Sequence, residues 1–469
     1  MACHSFTLIA ARKLEALPEQ GVEHMTLTTS AVLSLAPDAA SATAAKGLTA
    51  PASWPLLGRS ARAVWGECKG SGSRPYRTQV DVSGATPTFK CSCPSRKFPC
   101  KHGLALLLIE AAAPMQQDTP EPDWIVEWLD ARQVRAERKE TKAAEPPDPK
   151  AAIKREEARW KKISEGAADL DRFMADQLAR GLASLSAQQL DPWRTMAARM
   201  VDAQAPSLGD RLGDLADVVG AQADWPKTVL LGFGAIHLAI EAVEKRASLS
   251  NESIADLKTA LGWPITSEQV LACGDLVEDT WQVLGQLSEL RNRITERRVW
   301  LRGARTMRHA LIVDFAAGTR SFDSAFITGS AFACTLAFYP GTTPLRAIVS
   351  GTVGASTEGG LQVSSLGLDL ELAAASQAFG RNPWLRAAPM TLGAVTPHAP
   401  GAGGPEAAWA VATATGEALP LQIGRDEAMQ LLACSGGAPI DLFGEWDGSR
   451  LRPLTAWSAE GLLSLENRA

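Results

Sequence analysis

The stretch Thr88 to Ile109, TFKCSCPSRKFPCKHGLALLLI, places Cys91 and Cys93 two positions apart, leaves six residues, and then places Cys100 and His102 two positions apart. Three thiolates and an imidazole are a preferred tetrahedral ligand set for Zn²⁺, and two close pairs with a short spacer let a strand end and a helix start each supply half of the cage. Side chains at i and i+2 project to the same side of an extended strand, so Cys91 and Cys93 converge on one ion. On a regular helix the same spacing diverges, which predicts that Cys100 and His102 straddle a helix start. That helix is expected from about Pro99 to Ala113, with the apolar run LALLLI inside it. Its positive N-terminal end, together with Arg96, Lys97 and Lys101, favours thiolate over thiol and offsets the negative charge of a zinc tris-thiolate. An eroded site and a redox-active thiol pair are the weaker alternatives, and a disulfide between Cys91 and Cys93 would be strained.

Working outward, Ala63 to Lys69, Tyr76 to Val82 and Thr88 to Cys93 read as short strands of period 2, separated by turn-rich segments. Small residues and Leu recur at helical spacing between Met25 and Gly47, giving an expected domain over 25–113 made of helix, three-stranded meander and helix. Residues 1–24 lack a clear period and end at a second Met, so they read as an upstream extension or a loose tail. The segment 114–155 is rich in Pro and charge. Within it Trp124 to Leu129 suggests a short docking helix, and Lys139 to Lys150 a flexible linker. Residues 156–305 carry helical periodicity, including Trp281, Leu284, Leu287, Leu290 and Ile294, and predict a helical domain. Residues 306–469 contain no Lys and mix strands with two helices, near Leu368 to Phe379 and Asp426 to Cys434. The expectation is a multidomain α+β chain: a small zinc-pinned meander and helix, a helical middle, and an α+β C-terminal domain.

The motif resembles the SWIM-type zinc finger, whose pattern is CxC, a variable spacer and CxH on a strand–strand–helix frame. The quartet Cys91, Cys93, Cys100 and His102 fits it, with a spacer at the short end of that family's range, and the resemblance extends from about Trp54 to Ala113. More loosely, the whole layout looks like bacterial SWIM-domain proteins of this length, commonly encoded near an AAA-type ATPase and a von Willebrand A-domain protein. The resemblance implies binding to DNA or to a protein partner. With four protein ligands the site would be closed, whereas a catalytic zinc keeps a position open for water, so one structural Zn²⁺ is expected.

Composition agrees with a folded chain and says little more. Of 469 residues 46% are apolar and 21% charged, with a net charge of −5. Charge is unevenly placed: Arg59 to Gly103 holds nine basic residues (Arg59, Arg62, Lys69, Arg74, Arg77, Lys90, Arg96, Lys97 and Lys101) against Glu67 and Asp81, a local excess of seven. Such a surface suits a phosphate backbone, with Arg74, Arg77, Lys90, Arg96, Lys97 and Lys101 as contact candidates; an acidic protein partner is the other expectation. The longest apolar runs, Leu104 to Ile109 and Thr228 to Ile240, are too short to cross a bilayer, and with no secretory signal a cytoplasmic protein is expected. Cys68, Cys273, Cys334 and Cys434 read as packing residues, His237 as a satisfied helix histidine rather than a ligand, and His309 and His398 as histidines with no visible partner. No GxxxxGK[ST], HExxH or GxSxG motif occurs, and Asp447-Gly448 reads as a hairpin turn. The leading expectation is therefore a non-enzymatic binding or adaptor protein. The competing one is an enzyme whose active site lies in 306–469 and which the finger targets.

Overall fold

The computed structural model describes residues 28–465 apart from 37–38, 71–73, 84–86, 96, 117–118, 142–148, 183–184, 222–223, 292–293, 318–321, 323–324, 352, 354–355, 359–364 and 401–408. Mixed helix and antiparallel sheet follow one another along the chain. Helices α1 (Thr29–Ser34) and α2 (Ala39–Lys46) lead into a meander of four strands, β1 (Leu56–Arg59), β2 (Ala63–Cys68), β3 (Tyr76–Asp81) and β4 (Thr88–Cys91), hydrogen-bonded in that order. The sequence suggested three. The extra strand, LLGR, is too short to show alternation, and its Gly58 lies opposite Trp65, where a Cβ would come within 2.6 Å of the indole.

Both faces of this meander are covered. Val64, Val80 and Phe89 pack against Leu104, Leu107 and Leu108 of α3 (Lys101–Ala112), while Ala63 and Trp65 pack against Ile125 and Leu129 of α4 (Asp123–Thr141). The segment Trp124 to Leu129 thus docks as the first turns of a 19-residue helix. Of the stretch 139–150 expected to be flexible, α4 takes up the first three residues and α5 (Pro149–Arg180) the last two, while 142–148 lie outside the described residues.

The helical middle consists of α5, α6 (Asp191–Asp202), α7 (Pro206–Val218), α8 (Trp225–Glu244), α9 (Asn251–Leu261) and α10 (Ser267–Cys273). Ile163, Leu170, Trp193, Leu212, Phe233 and Ile236 form its core. Helix α8 is long and apolar enough to cross a membrane, yet Val229, Phe233, Ile236, Ile240 and Val243 on its inner side are buried in this bundle. Gly232 of α8 is a packing residue: a Cβ there would meet Leu215 at 2.4 Å.

The helices stop at Cys273, not at residue 305. Strands β5 (Asp275–Arg291) and β6 (Ile294–Gly303) follow, so Trp281, Leu284, Leu287, Leu290 and Ile294 are not on a helix. The register of β5 against β6 shifts between Val283 and Gly285. Trp281 and Val283 lie in one core cluster, and Leu284 and Leu287, beyond the shift, lie in another. A strand buried on both faces and interrupted by a bulge puts apolar residues three apart, which imitates a helix.

These strands open a sheet with β7 (His309–Ala317), β8 (Ser330–Phe338) and β10 (Ser356–Glu358), in the order β10-β8-β5-β6-β7, with β9 (Ala347–Ser350) paired to β8. A second sheet runs β13 (Ala418–Pro420), β12 (Ala410–Ala412), β11 (Ala388–His398), β14 (Ile440–Trp446), β15 (Leu451–Ser458) and β16 (Gly461–Ser464). Helices α11 (Leu368–Arg381) and α12 (Arg425–Ser435) pack on it. Leu284, Leu287 and Trp300 meet Phe443 and Leu454 where the two sheets touch. Finally, Ala325 and Ile327, from the segment between β7 and β8, belong to the core of the N-terminal finger, and Phe322 lies edge-on to Phe98 at 6.0 Å.

Candidate metal centre

Strand β4 ends on Cys91 and Cys93 follows it, while Cys100 is the extended N-cap of α3 (φ −74°, ψ 161°) and His102 its second residue. The pair Cys100 and His102 therefore straddles the helix start. Gly103 allows the two halves to meet, because a Cβ there would lie 2.8 Å from the Phe89 ring on β4. The four ligand atoms all lie within 4.8 Å of one another, with Cys91 Sγ 3.8 Å from His102 Nδ1. A tetrahedral ion with Zn–S near 2.3 Å and Zn–N near 2.0 Å needs ligand separations of about 3.5–3.8 Å, so the quartet fits the ion with little adjustment.

The protonation chemistry favours the same ion. Hydrogen bonds from Cys100 and then Cys91 hold Cys93 well below the usual thiol range despite its burial. Cys91 is pushed far up, since its hydrogen bonds to Cys100 and then Cys93 require it to keep its proton and burial adds to this. Three packed sulfurs cannot all ionise alone; a dication removes that conflict. Around the ligands, Thr78 Oγ1 lies 3.2 Å from Cys91 Sγ, and the Tyr76 ring lies 5.0 Å from the His102 ring. His102 and Cys100 are buried, while Cys91 and Cys93 are half-buried. Cys91, Cys93, Cys100 and His102 are the ligand set of one structural Zn²⁺, which ties β4 to α3.

The basic residues divide into two groups. Arg59 is buried and paired with Glu110, Arg62 with Glu121, and Arg77 Nε with Glu67 Oε1 at 3.3 Å. Two of these carboxylates lie beyond the window in which the excess charge was counted, so that excess is smaller in space than in sequence. Arg74, Lys90, Lys97 and Lys101 are exposed, and Arg96 lies outside the described residues. The sequence did not reveal that Trp124, Trp128 and Arg132 of α4 come up beside Arg77 and Lys90. Only the aromatic content of that helix hinted at it.

Other residues singled out in the sequence lie apart from the metal or serve packing. Cys68 and Cys334 are buried and Cys434 is half-buried, but Cys273, expected in a core, is exposed at the end of α10. His237 Nδ1 is 2.8 Å from Asp171 Oδ1 on the bundle surface. Asp447 Oδ1 accepts hydrogen bonds from the backbone N–H groups of Ser449 and Arg450, and Gly448 has φ +98°, as a hairpin turn requires. His309 is half-buried, and its pKa is lowered to about 4 by burial of the imidazole and then by nearby Arg302.

A zinc centre made from a strand end and a helix start defines a zinc-finger protein. The model of the SWIM zinc finger matches residues 76–109, and that of the SWIM-associated four-helix bundle domain matches 158–261, from within α5 to the end of α9. The match to the finger thus precedes the match to its associated bundle, and together they span less than a third of the chain. No curated protein and no solved structure matches it.

Proposed function

We propose that this chain is a non-enzymatic, zinc-stabilised binding protein of the cytoplasm, whose finger contacts nucleic acid and whose bundle and C-terminal sheets form an assembly platform. The observation that carries the reading is a set of unpaired cations on the finger. Lys69 and Arg74, in the connection from β2 to β3, and Lys90, on the face of β4 turned away from the metal, are exposed and make no ion pair among the described residues. Cations held on a rigid scaffold attract a phosphate backbone and release its counterions on contact. The zinc would supply rigidity, with every coordination position filled by protein. Partners of the AAA-type ATPase and von Willebrand A-domain kinds would dock on the platform.

The test combines metal content with binding to duplex and single-stranded DNA across a salt series. One zinc per chain and an affinity that falls steeply as salt rises support the reading. One zinc with no binding to either nucleic acid would replace it with a protein adaptor.

A further inference from the structure

On the face of the meander turned away from the metal, the finger contains a groove that borders the metal site only at Cys91 and Ser92. Side chains alternate along a strand, so Arg77 and Gln79 of β3 face away from Thr78. Lys90 lies opposite Gln79 in register and shares its face, whereas Thr78 and Cys91, also opposite one another, turn to the metal. Helix α4 crosses the second face. Its Trp124 and Trp128, four residues apart, stand side by side over the sheet, and a space of about 360 Å³ lies between helix and strands.

Three observations describe what the groove would hold. Gln79 is 3% exposed, it lines the groove, and its Nε2 has no hydrogen-bond partner. A buried amide donor of this kind is costly to leave unmet, and an entering acceptor would satisfy it. Trp124 and Trp128 each already bind a flat cation, with Arg77 5.5 Å and Arg132 5.7 Å from the ring centres. Lys90 is exposed without an ion pair among the described residues, while Arg77 and Arg132 are paired with Glu67 and Asp81. The site therefore combines two indoles, half-buried against the finger core and each capped by a flat guanidinium on which a base can also stack, with one buried donor and one available cation. Duplex DNA keeps its bases stacked and would use only the cation. An acidic peptide would use Lys90 but leave the rings and the amide unmatched. An unpaired nucleotide uses all three.

We infer that the groove between β3, β4 and α4 takes one nucleotide of a single strand, its base against Trp124 and Trp128, a base acceptor on Gln79 Nε2 and its phosphate on Lys90. Glu127, an exposed carboxylate in the same lining, disfavours a second phosphate and limits the site to one nucleotide. The inference rests on the nucleic-acid reading and narrows it.

The test uses the zinc-loaded full chain with a labelled oligothymidine and with the matching oligothymidine–oligoadenine duplex, followed by fluorescence anisotropy. Bromouracil-substituted strands are crosslinked and mapped in parallel. The single strand is expected to bind about tenfold more tightly than the duplex. Crosslinks should map to the Trp124 to Trp128 peptide, and Lys90→Glu should weaken single-strand binding about tenfold with zinc content unchanged. Gln79→Glu, which removes the donor, should do the same. Should Gln79→Glu fail to fold, the exposed Lys90→Glu variant and the crosslink map still decide. Equal binding of both nucleic acids, indifferent to Lys90→Glu and crosslinked elsewhere, overturns the groove and leaves the nucleic-acid reading standing. If neither nucleic acid binds, both fall.

Discussion

Cys91→Ser replaces a thiolate with a hydroxyl that zinc holds poorly, and His102→Ala removes a ligand outright. Each variant is expected to lose stoichiometric zinc and the folded finger, seen as metal content after dialysis and as loss of protease resistance over residues 56–112; full zinc with an intact finger would show that the quartet is not the site. Gly103→Ala tests how the halves meet. Its Cβ would press on Phe89, so a destabilisation of about 1–3 kcal/mol is expected, with zinc surrendered to a competing chelator at lower concentration. The ligands themselves were legible in the sequence, because all four fall within twelve consecutive positions and coordination chemistry is local. The roles of Gly103, Thr78 and Gln79 were not legible, since each depends on a neighbour brought near by strand pairing or by packing.

At the level of elements, α4 seals the open face of the finger with Ile125 and Leu129. Leu129→Ala is expected to cost about 2–4 kcal/mol and to free the helix, read as faster amide exchange over 123–134 and loss of the groove. Strand β7 offers a pH test. His309 has an unpartnered Nε2 and a pKa near 4 in the fold, against about 6.5 when unfolded. Below about pH 6.5 the unfolded chain takes up a proton that the folded chain refuses, so stability is full above that pH and falls as pH drops towards 4. Between pH 7 and pH 5 the loss is expected to be about 2 kcal/mol for this group, and His309→Phe, which keeps a ring beside Phe443, should flatten that part of the profile in denaturant titrations at the two pH values. Among elements, α11 and α12 were readable from local helical patterning near Leu368 to Phe379 and Asp426 to Cys434. Strand β5 was misread as helix because both its faces are buried and a bulge interrupts its period.

At the scale of the whole molecule, the order of finger, bundle and sheets follows the sequence, but the boundaries do not. The run of helices ends at Cys273, and the strands after it belong with the C-terminal sheets. Nothing in a local reading could show this, because β5 is defined by its partners β6 and β8, the second of them over forty residues away in the chain. The finger is also less separate than its compact motif suggests. Ala325 and Ile327 fill part of its core, so Ile327→Ala is expected to destabilise the finger by about 2–3 kcal/mol, measured as easier zinc loss from a variant whose ligands are untouched.

That shared core makes the metal a long-range fastening. Because Phe98, between the two ligand pairs, leans on Phe322, the free energy of zinc binding is spread over a joint that includes the strand connection from β7 to β8. Chelation should then lower the melting temperature of the C-terminal sheets as well as the finger. A finger cut out at residue 113 would hold its zinc more weakly than the intact chain does, through the loss of contacts made more than two hundred residues away.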